Sequence, residues 1–116
     1  MSAGIKPSGF HLTPIGGGRF LLEPSSSLDI SSSEELLEGI LQRLQRNKAC
    51  KLYYDLANLP LIEPRYYHWL NMLARACRAV NVVMVCIRMQ PTAAFALSSY
   101  MEGNPDFSVE QGVREG

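Results

Sequence analysis

Polar side chains concentrate in one stretch of the sequence, DLANLPLIEPRYYHWL, which covers residues 55–70. Here an extended apolar run meets a Glu-Pro pair and continues into a segment rich in aromatic residues. His68 could act as a general base, with Glu63 to orient it. However, no serine or cysteine nucleophile lies within the same helical turn, and nearness in the sequence is all that connects the pair. The stretch therefore favours a binding surface, and we expect the chain not to be an enzyme.

The cysteine and histidine content argues against a metal site. The cysteines are odd in number, widely spaced and set in apolar surroundings: Cys50, Cys77 and Cys86. This pattern predicts buried, reduced thiols in a cytoplasmic protein rather than a disulfide framework. Zinc ligation would need close cysteine pairs together with histidines, and His11 and His68 are the only histidines. We expect no metal and no other cofactor.

Charge and hydropathy argue against two further classes of partner. The basic and acidic residues number 11 each, and they form no basic stripe of the kind that nucleic-acid-binding proteins carry. The longest mainly apolar stretch, residues 80–89, is too short to cross a bilayer, and the N-terminus lacks the apolar core of a secretory signal. We therefore expect neither nucleic acid nor a membrane as partner.

Helix-start signals predict where three helices begin, one of them within residues 55–70. Ser32 followed three residues later by Glu35 predicts a capping box that opens a first helix. Proline suits the first turn of a helix, because its missing N–H would have no intrahelical partner there. Pro64 and Pro91 therefore predict the starts of a second and a third helix.

The alternation of elements predicts an α/β fold. We expect a leader or disordered N-terminus over residues 1–14 and one domain over 15–116. Such an order of strands and helices is typical of a mainly parallel sheet with helices packed on it, linked by right-handed crossovers. The predicted elements are strands at 19–24, 51–57 and 82–89, helices from 32 to about 47, 64 to 80 and 91 to about 103, and a short strand and helix after residue 106.

Two ordered segments carry a resemblance to a known family. YYDLANLPLIEP supplies an apolar strand, an Asp-Leu triplet and a helix start, and VVMVCIRMQPTAA supplies a second apolar strand followed by a proline and small residues. Together they resemble the STAS family, which contains the bacterial anti-sigma factor antagonists and the stressosome scaffold proteins. The likeness covers roughly residues 15–115. It implies a mainly parallel or mixed sheet with helices packed on it.

The resemblance also implies a function in signal transduction and transcription regulation through protein binding. Relatives bind a switch-type kinase, an anti-sigma factor or other STAS proteins, and a homo-oligomer is a further possibility. The corresponding docking residues in this chain are Asn58, Glu63, Pro64, Arg65 and Tyr66. Of the other aromatic residues, Trp69 lies one position off the apolar stripe of the second helix and is a further candidate for a partner surface. An alternative is a STAS module that senses a small ligand, a nucleotide or a lipid, at the same junction.

The sequence departs from the family at the phosphorylated positions. Pro64 stands where relatives carry a serine or threonine, and Glu63 stands where they carry the preceding aspartate. A second acceptor of the stressosome proteins aligns with Ala96. Phosphate on a hydroxyl at a helix N-terminus adds nearly two negative charges next to free N–H groups. Proline and alanine have no hydroxyl, so we expect no phospho-acceptor at either position, and Thr92 is expected to be an ordinary first-turn residue.

Overall fold

A five-stranded mixed sheet organises the computed structural model, which describes residues 9–113. The strands lie in the order β1-β2-β3-β4-β5, with β1 antiparallel to β2 and every other neighbouring pair parallel. The strands are β1 (Phe10–Gly16), β2 (Arg19–Pro24), β3 (Lys51–Asp55), β4 (Val83–Ile87) and β5 (Ser108–Glu110). The helices are α1 (Ser33–Arg46), α2 (Pro64–Ala79) and α3 (Pro91–Ser98), with a 3-10 turn (Ile30–Ser32) before α1. The predicted α/β fold with a mixed sheet is confirmed.

The main core lies between the three helices and one face of the sheet. Leu36, Ile40 and Leu44 recur at helical spacing along α1 and are buried, as that period requires of a core-facing stripe. They belong to the same cluster as the buried side chains of α2, α3 and alternate strand positions such as Tyr54 and Cys86. The opposite face carries a smaller buried cluster centred on Tyr53, Val85 and Ile87. Alternation along β3 and β4 therefore separates two apolar layers.

The predicted N-terminal leader needs a correction, because part of it forms strand β1. Residues from Phe10 onward, which overlap the leader predicted over 1–14, pair with β2 in an antiparallel hairpin. The hairpin turn falls on the triple glycine, where Gly16, Gly17 and Gly18 all have positive φ. A tight hairpin turn needs such backbone, which glycine adopts without a steric penalty. The first four residues of β1 alternate apolar and polar side chains, and Pro14 interrupts that pattern.

The predicted capping box is wrong. Asp29 caps the 3-10 turn instead, and its carboxylate accepts a hydrogen bond from the Ser31 N–H at 3.0 Å. Ser32 makes no side-chain capping bond to α1, and its hydroxyl donates to the same carboxylate at 3.4 Å. The Ser31 hydroxyl bond lowers the pKa of Asp29. The Ser32 hydroxyl therefore bonds to an aspartate three residues upstream and not, as the Ser-x-x-Glu pattern predicted, to the helix backbone.

The C-terminal part of the chain is only partly as predicted. Helix α3 stops at Ser98, short of the expected end near residue 103. Ser98 and Ser99 each donate a side-chain hydrogen bond, at 2.7 Å, to a carbonyl three residues back, which competes with further helix. The predicted final strand exists as β5. Residues 111–113 are not helical, and the rest of the predicted last helix lies outside the described residues.

Candidate protein-docking site

The loop over residues 56–63 and the start of α2 form a surface corner at the carboxyl ends of β3 and β4. Glu63 is the N-cap residue of α2 and has extended backbone, and Pro64 occupies the first helical position. The first intrahelical bond runs from the Tyr67 N–H to the Glu63 carbonyl at 3.0 Å. Proline loses nothing at this position, because its N–H would be unpaired there. The Glu-Pro pair is therefore the entry of the second helix.

Four of the five predicted docking residues are exposed, and the fifth is half-buried. Asn58, Glu63, Pro64 and Arg65 are exposed, whereas Tyr66 is intermediate. Charges separate across the corner. Glu63 and Arg65 carry opposite charges on either side of Pro64, and both side chains are exposed. A partner at this corner would therefore meet an acidic side and a basic side.

Side chains from beyond β4 fix the loop that leads to the corner. The Gln90 amide donates to the Ala57 carbonyl at 2.6 Å. The hydroxyl of Thr92 donates to the Pro60 carbonyl, and the hydroxyl of Tyr100 donates to the Ile62 carbonyl. We name these three donors, Gln90, Thr92 and Tyr100, the loop clamp. They bond the loop backbone at three carbonyls and so hold it against α3 and the residues that flank this helix.

A buried carboxylate anchors the other end of the loop. Asp55 is only 6 % exposed and accepts two hydrogen bonds from Arg88, one of them from Nε at 3.1 Å. The same carboxylate accepts the Ala57 N–H at 2.9 Å, which turns the chain out of β3. Hydrogen bonding to Asp55 raises the pKa of Arg88. Arg88 has φ +57°, a left-handed conformation that is unfavourable for any residue with a Cβ, so the ion pair holds it against that preference.

Tyr66 connects the corner to the core. Its hydroxyl lies 2.6 Å from that of Tyr54, which also accepts the Trp69 indole N–H at 3.1 Å. Burial raises the pKa of Tyr66 to about 12 and raises that of the fully buried Tyr54 as well. The suggestion that Trp69 faces a partner is wrong, because it is 2 % exposed and bonded inward. Tyr66 instead is half-buried, and its hydroxyl is hydrogen-bonded to the core.

Two clefts flank the corner. One, of about 430 Å³, lies between the segment after β2 and the loop after β3, and no charged side chain lines it. Its lining comprises Pro24, Ser25, Ser26, Leu28, Asn58, Leu59 and Tyr66. The other, a shallower groove of about 340 Å³, lies between the start of α1 and the start of α2 and includes Arg65 and His68.

The structure gives no support to a catalytic pair at His68. This histidine is exposed on α2, and within residues 9–113 it takes part in no hydrogen bond or ion pair. The expectation of three buried cysteines holds for Cys77 and Cys86, where burial raises the thiol pKa, to about 12 for Cys77. It is wrong for Cys50, which is exposed beside the glycine turn.

The described part of the chain holds no group of three or more His, Cys, Asp or Glu side chains that could hold a metal ion. Over the same residues, every helix is too short or too polar to span a bilayer.

Comparison with solved structures identifies the fold. The chain matches a substituted RsbS from Moorella thermoacetica with a TM-score of 0.72 at 14% identity, covering 91% of this chain and 89% of that one. It matches the crystal structure of a candidate anti-sigma factor antagonist from Thermotoga maritima with a TM-score of 0.60 at 12% identity, covering 78% and 76%. The NMR structure of the same protein gives 0.63 at 11% identity, covering 85% and 75%.

No protein-family profile matches the chain, and no curated protein matches its sequence significantly. The structural matches nevertheless confirm the predicted STAS-like fold. The fold therefore persists at sequence identities where sequence comparison alone finds no relative.

Proposed function

We propose that this chain is a non-enzymatic, cytoplasmic regulatory module that binds a protein partner through the Glu63–Tyr66 corner. The partner would be a switch-type kinase, an anti-sigma factor or another STAS protein, as for anti-sigma factor antagonists and stressosome scaffolds. The observation that carries the proposal is an exposed helix entry that follows a loop held by three side-chain hydrogen bonds, in a fold similar to that of RsbS. A preformed surface binds with a smaller loss of conformational entropy than a mobile one.

The absence of a covalent switch at this corner is part of the proposal. Pro64 and Ala96 cannot accept phosphate, and the nearest hydroxyl to the third helix entry, that of Thr92, is bonded to the Pro60 carbonyl. Binding would then be controlled by the amount or state of the partner. In a relative, phosphate at the position of Pro64 would place about two negative charges at the helix start.

Restoring the acceptor tests this idea. The switch-type kinase encoded nearest the gene would be incubated with ATP and three proteins: the wild type, Pro64→Ser and Pro60→Ser. We expect one phosphate on Pro64→Ser only, since of the two introduced hydroxyls only that at position 64 lies at a helix N-terminus, and intact-mass analysis reads it directly. Pro60 is an equally exposed proline in the loop and controls for unspecific transfer. A stoichiometric phosphate between residues 59 and 67 of the wild type would overturn the claim.

Binding itself is tested by charge reversal on the two sides of the corner. Glu63→Lys and Arg65→Glu should each weaken calorimetric binding to the same kinase by about tenfold, as expected of charged interface residues. Arg46→Glu, at the exposed end of α1, changes charge away from the corner and serves as the control. An effect of Arg46→Glu as large as that of Arg65→Glu, a charge change of the same sign, would indicate unspecific electrostatics. Wild-type protein that binds no kinase or anti-sigma factor would count against the proposal.

The uncharged cleft favours a second candidate function, the sensing of a small ligand. Its volume of about 430 Å³ lies within the range of small-molecule sites. The lining offers serine hydroxyls, the Asn58 amide and apolar surface, and it provides no cation for a phosphate. It therefore fits a lipid chain better than a nucleotide. A medium-chain fatty acid should raise the melting temperature while ATP does not, and no shift with either would remove this candidate.

A further inference from the structure

The groove between the starts of α1 and α2, which we name the α1–α2 groove, adjoins the docking corner. It has a volume of about 340 Å³ and opens widely to solvent. One wall follows a stripe of α2 at helical spacing, from Pro64 through His68 to Met72. The opposite wall comes from Ile30, in the 3-10 turn, and Ser33, at the start of α1. The groove therefore extends the corner along α2 by about two helical turns.

Much of the surface of the groove is apolar. Ile30 and Met72 are half-buried and pack against the main core, and Pro64 is exposed. Trp69 also lines the groove but is only 2 % exposed, so it adds little surface of its own. Apolar surface of this kind gains free energy when a large apolar side chain covers it. Small-molecule sites enclose most of their ligand, whereas this groove is open, so it fits a protein segment better.

The polar groups in the lining favour an acidic occupant. Arg65 carries a positive charge and His68 offers a ring N–H, and the two side chains lie one turn apart on α2. Both are exposed, and within residues 9–113 neither forms a hydrogen bond or salt bridge. Among the described residues, none that lines the groove is acidic. The lining is therefore complementary in charge to a carboxylate.

Three acidic residues near the start of α1 restrict how such an occupant can lie. Asp29 interacts electrostatically with Arg65, but its carboxylate already accepts hydrogen bonds from Ser31 and Ser32. Glu34 and Glu35 are exposed in the first turn of α1 and do not line the groove. Carboxylates would repel an acidic segment that crossed α1. The segment should therefore lie along α2, with its own carboxylates on the α2 side.

We propose that the α1–α2 groove receives an acidic amphipathic segment of the protein partner, which places a large apolar side chain between the helices and carboxylates against Arg65 and His68. This inference rests on the proposed function, because it names the chemistry of the partner segment that docks beside the corner. Standard interfaces bury about 800 Å² on each partner, and a single groove offers less. An isolated segment should therefore bind with a dissociation constant on the order of 10–100 µM.

The fluorescence of Trp69, the only tryptophan, reports binding in the groove. The full chain is titrated with a synthetic helical peptide that carries leucines on one face and glutamates on the other. A second peptide replaces every glutamate by lysine, which keeps the apolar face and reverses the charge. We expect a saturable change in fluorescence with the acidic peptide and none with the basic peptide up to about 1 mM.

Two variants test whether the acidic peptide binds where we propose. His68→Glu adds a negative charge to the α2 wall and should raise the dissociation constant about tenfold. His11→Glu, the same change at the exposed histidine of β1, is the matched control and should leave it unchanged. Met72→Gln keeps the length of the side chain but makes it polar, and should raise the dissociation constant about fivefold. Circular dichroism establishes that each variant is folded.

The groove proposal would be overturned if the acidic peptide left the fluorescence unchanged, if the two peptides bound equally, or if His68→Glu bound the peptide like His11→Glu. Fluorescence that changed with protein concentration alone would indicate a second copy in the groove and would overturn it too. Glu63 belongs to the corner but does not line the groove. If Glu63→Lys weakened kinase binding and His68→Glu did not, the proposed function would stand and this inference alone would fail.

Discussion

The hydroxyl of Tyr54 is the centre of the buried polar network beneath the corner, and removing it should destabilise the protein more than removing that of Tyr66. In Tyr54→Phe the indole N–H of Trp69 loses its acceptor in a site that is 2 % exposed. A buried donor left without a partner costs about 1–3 kcal/mol. The variant also loses the 2.6 Å bond to Tyr66. We expect the free energy of unfolding to fall by about 2–3 kcal/mol.

In Tyr66→Phe the Trp69 N–H keeps its acceptor on Tyr54, and the Tyr54 hydroxyl, unlike the fixed indole N–H, can rotate, so the loss is mainly the bond between the two tyrosines. The free energy of unfolding should fall by about 1 kcal/mol. Because both single variants remove the bond between the two tyrosines, the double variant should be less destabilised than the sum, with a coupling of about 1 kcal/mol. Tyr53→Phe is the control, because Tyr53 is equally buried but its hydroxyl has no hydrogen bond within residues 9–113.

Urea denaturation measures these differences, followed by circular dichroism and by the fluorescence of Trp69, the only tryptophan. The slope of the transition should stay constant, so that midpoints report stability. The reasoning would be refuted if Tyr66→Phe were as destabilised as Tyr54→Phe, since the orphaned indole would then carry no penalty. It would also be refuted if Tyr53→Phe lost as much as either.

Two further predictions concern alkaline pH and the left-handed arginine. The pKa of Tyr66 rises from 10.0 to about 12 on folding, so the stability it contributes is complete below pH 10 and is lost as the pH rises towards 12. The free energy of unfolding, measured by urea titration at pH 9 and pH 12, should therefore drop about 2–3 kcal/mol further in the wild type than in Tyr66→Phe, and equal drops would contradict this. At position 88, Arg88→Ala and Arg88→Gly both lose the bonds to Asp55, but only glycine relieves the positive φ. The glycine variant should unfold at a higher urea concentration, being more stable by about 1 kcal/mol; equal midpoints would mean that the backbone is not strained.

Periodicity and helix-start residues predicted most of the fold. The stripe of Leu36, Ile40 and Leu44 identified α1, and its end at Asn47 is confirmed as the C-cap. Pro64 and Pro91 open helices where predicted, because their restricted φ and missing N–H suit only the first turn. These signals are local, so a single sequence suffices to read them. They did not predict β1, because its alternating run of Phe10 to Thr13 is only four residues long before Pro14.

The sequence predicted where the candidate site lies, but not the contacts that hold it together. The Glu-Pro pair marked the corner, whereas the loop clamp joins residues 32 to 38 positions apart, such as Gln90 and Ala57. No local pattern indicates which hydroxyl or amide will meet which carbonyl at such separations. Trp69 shows the same limit. Its place off the apolar stripe suggested exposure, but Tyr54 on β3 provides an acceptor that lets the indole be buried.

The missing hydroxyl at Pro64 and the hydrogen-bonded loop both limit the ways in which this corner could change its structure. A phosphate at a helix entry acts by adding charge and new hydrogen bonds, which change local structure or affinity. Here the loop backbone is already bonded at Ala57, Pro60 and Ile62, and the helix entry has no site for the charge. These bonds favour a single conformation of the loop that leads to the corner. Under the proposed function, a partner that distinguishes two states of this chain would have to respond to something other than a phosphate at position 64.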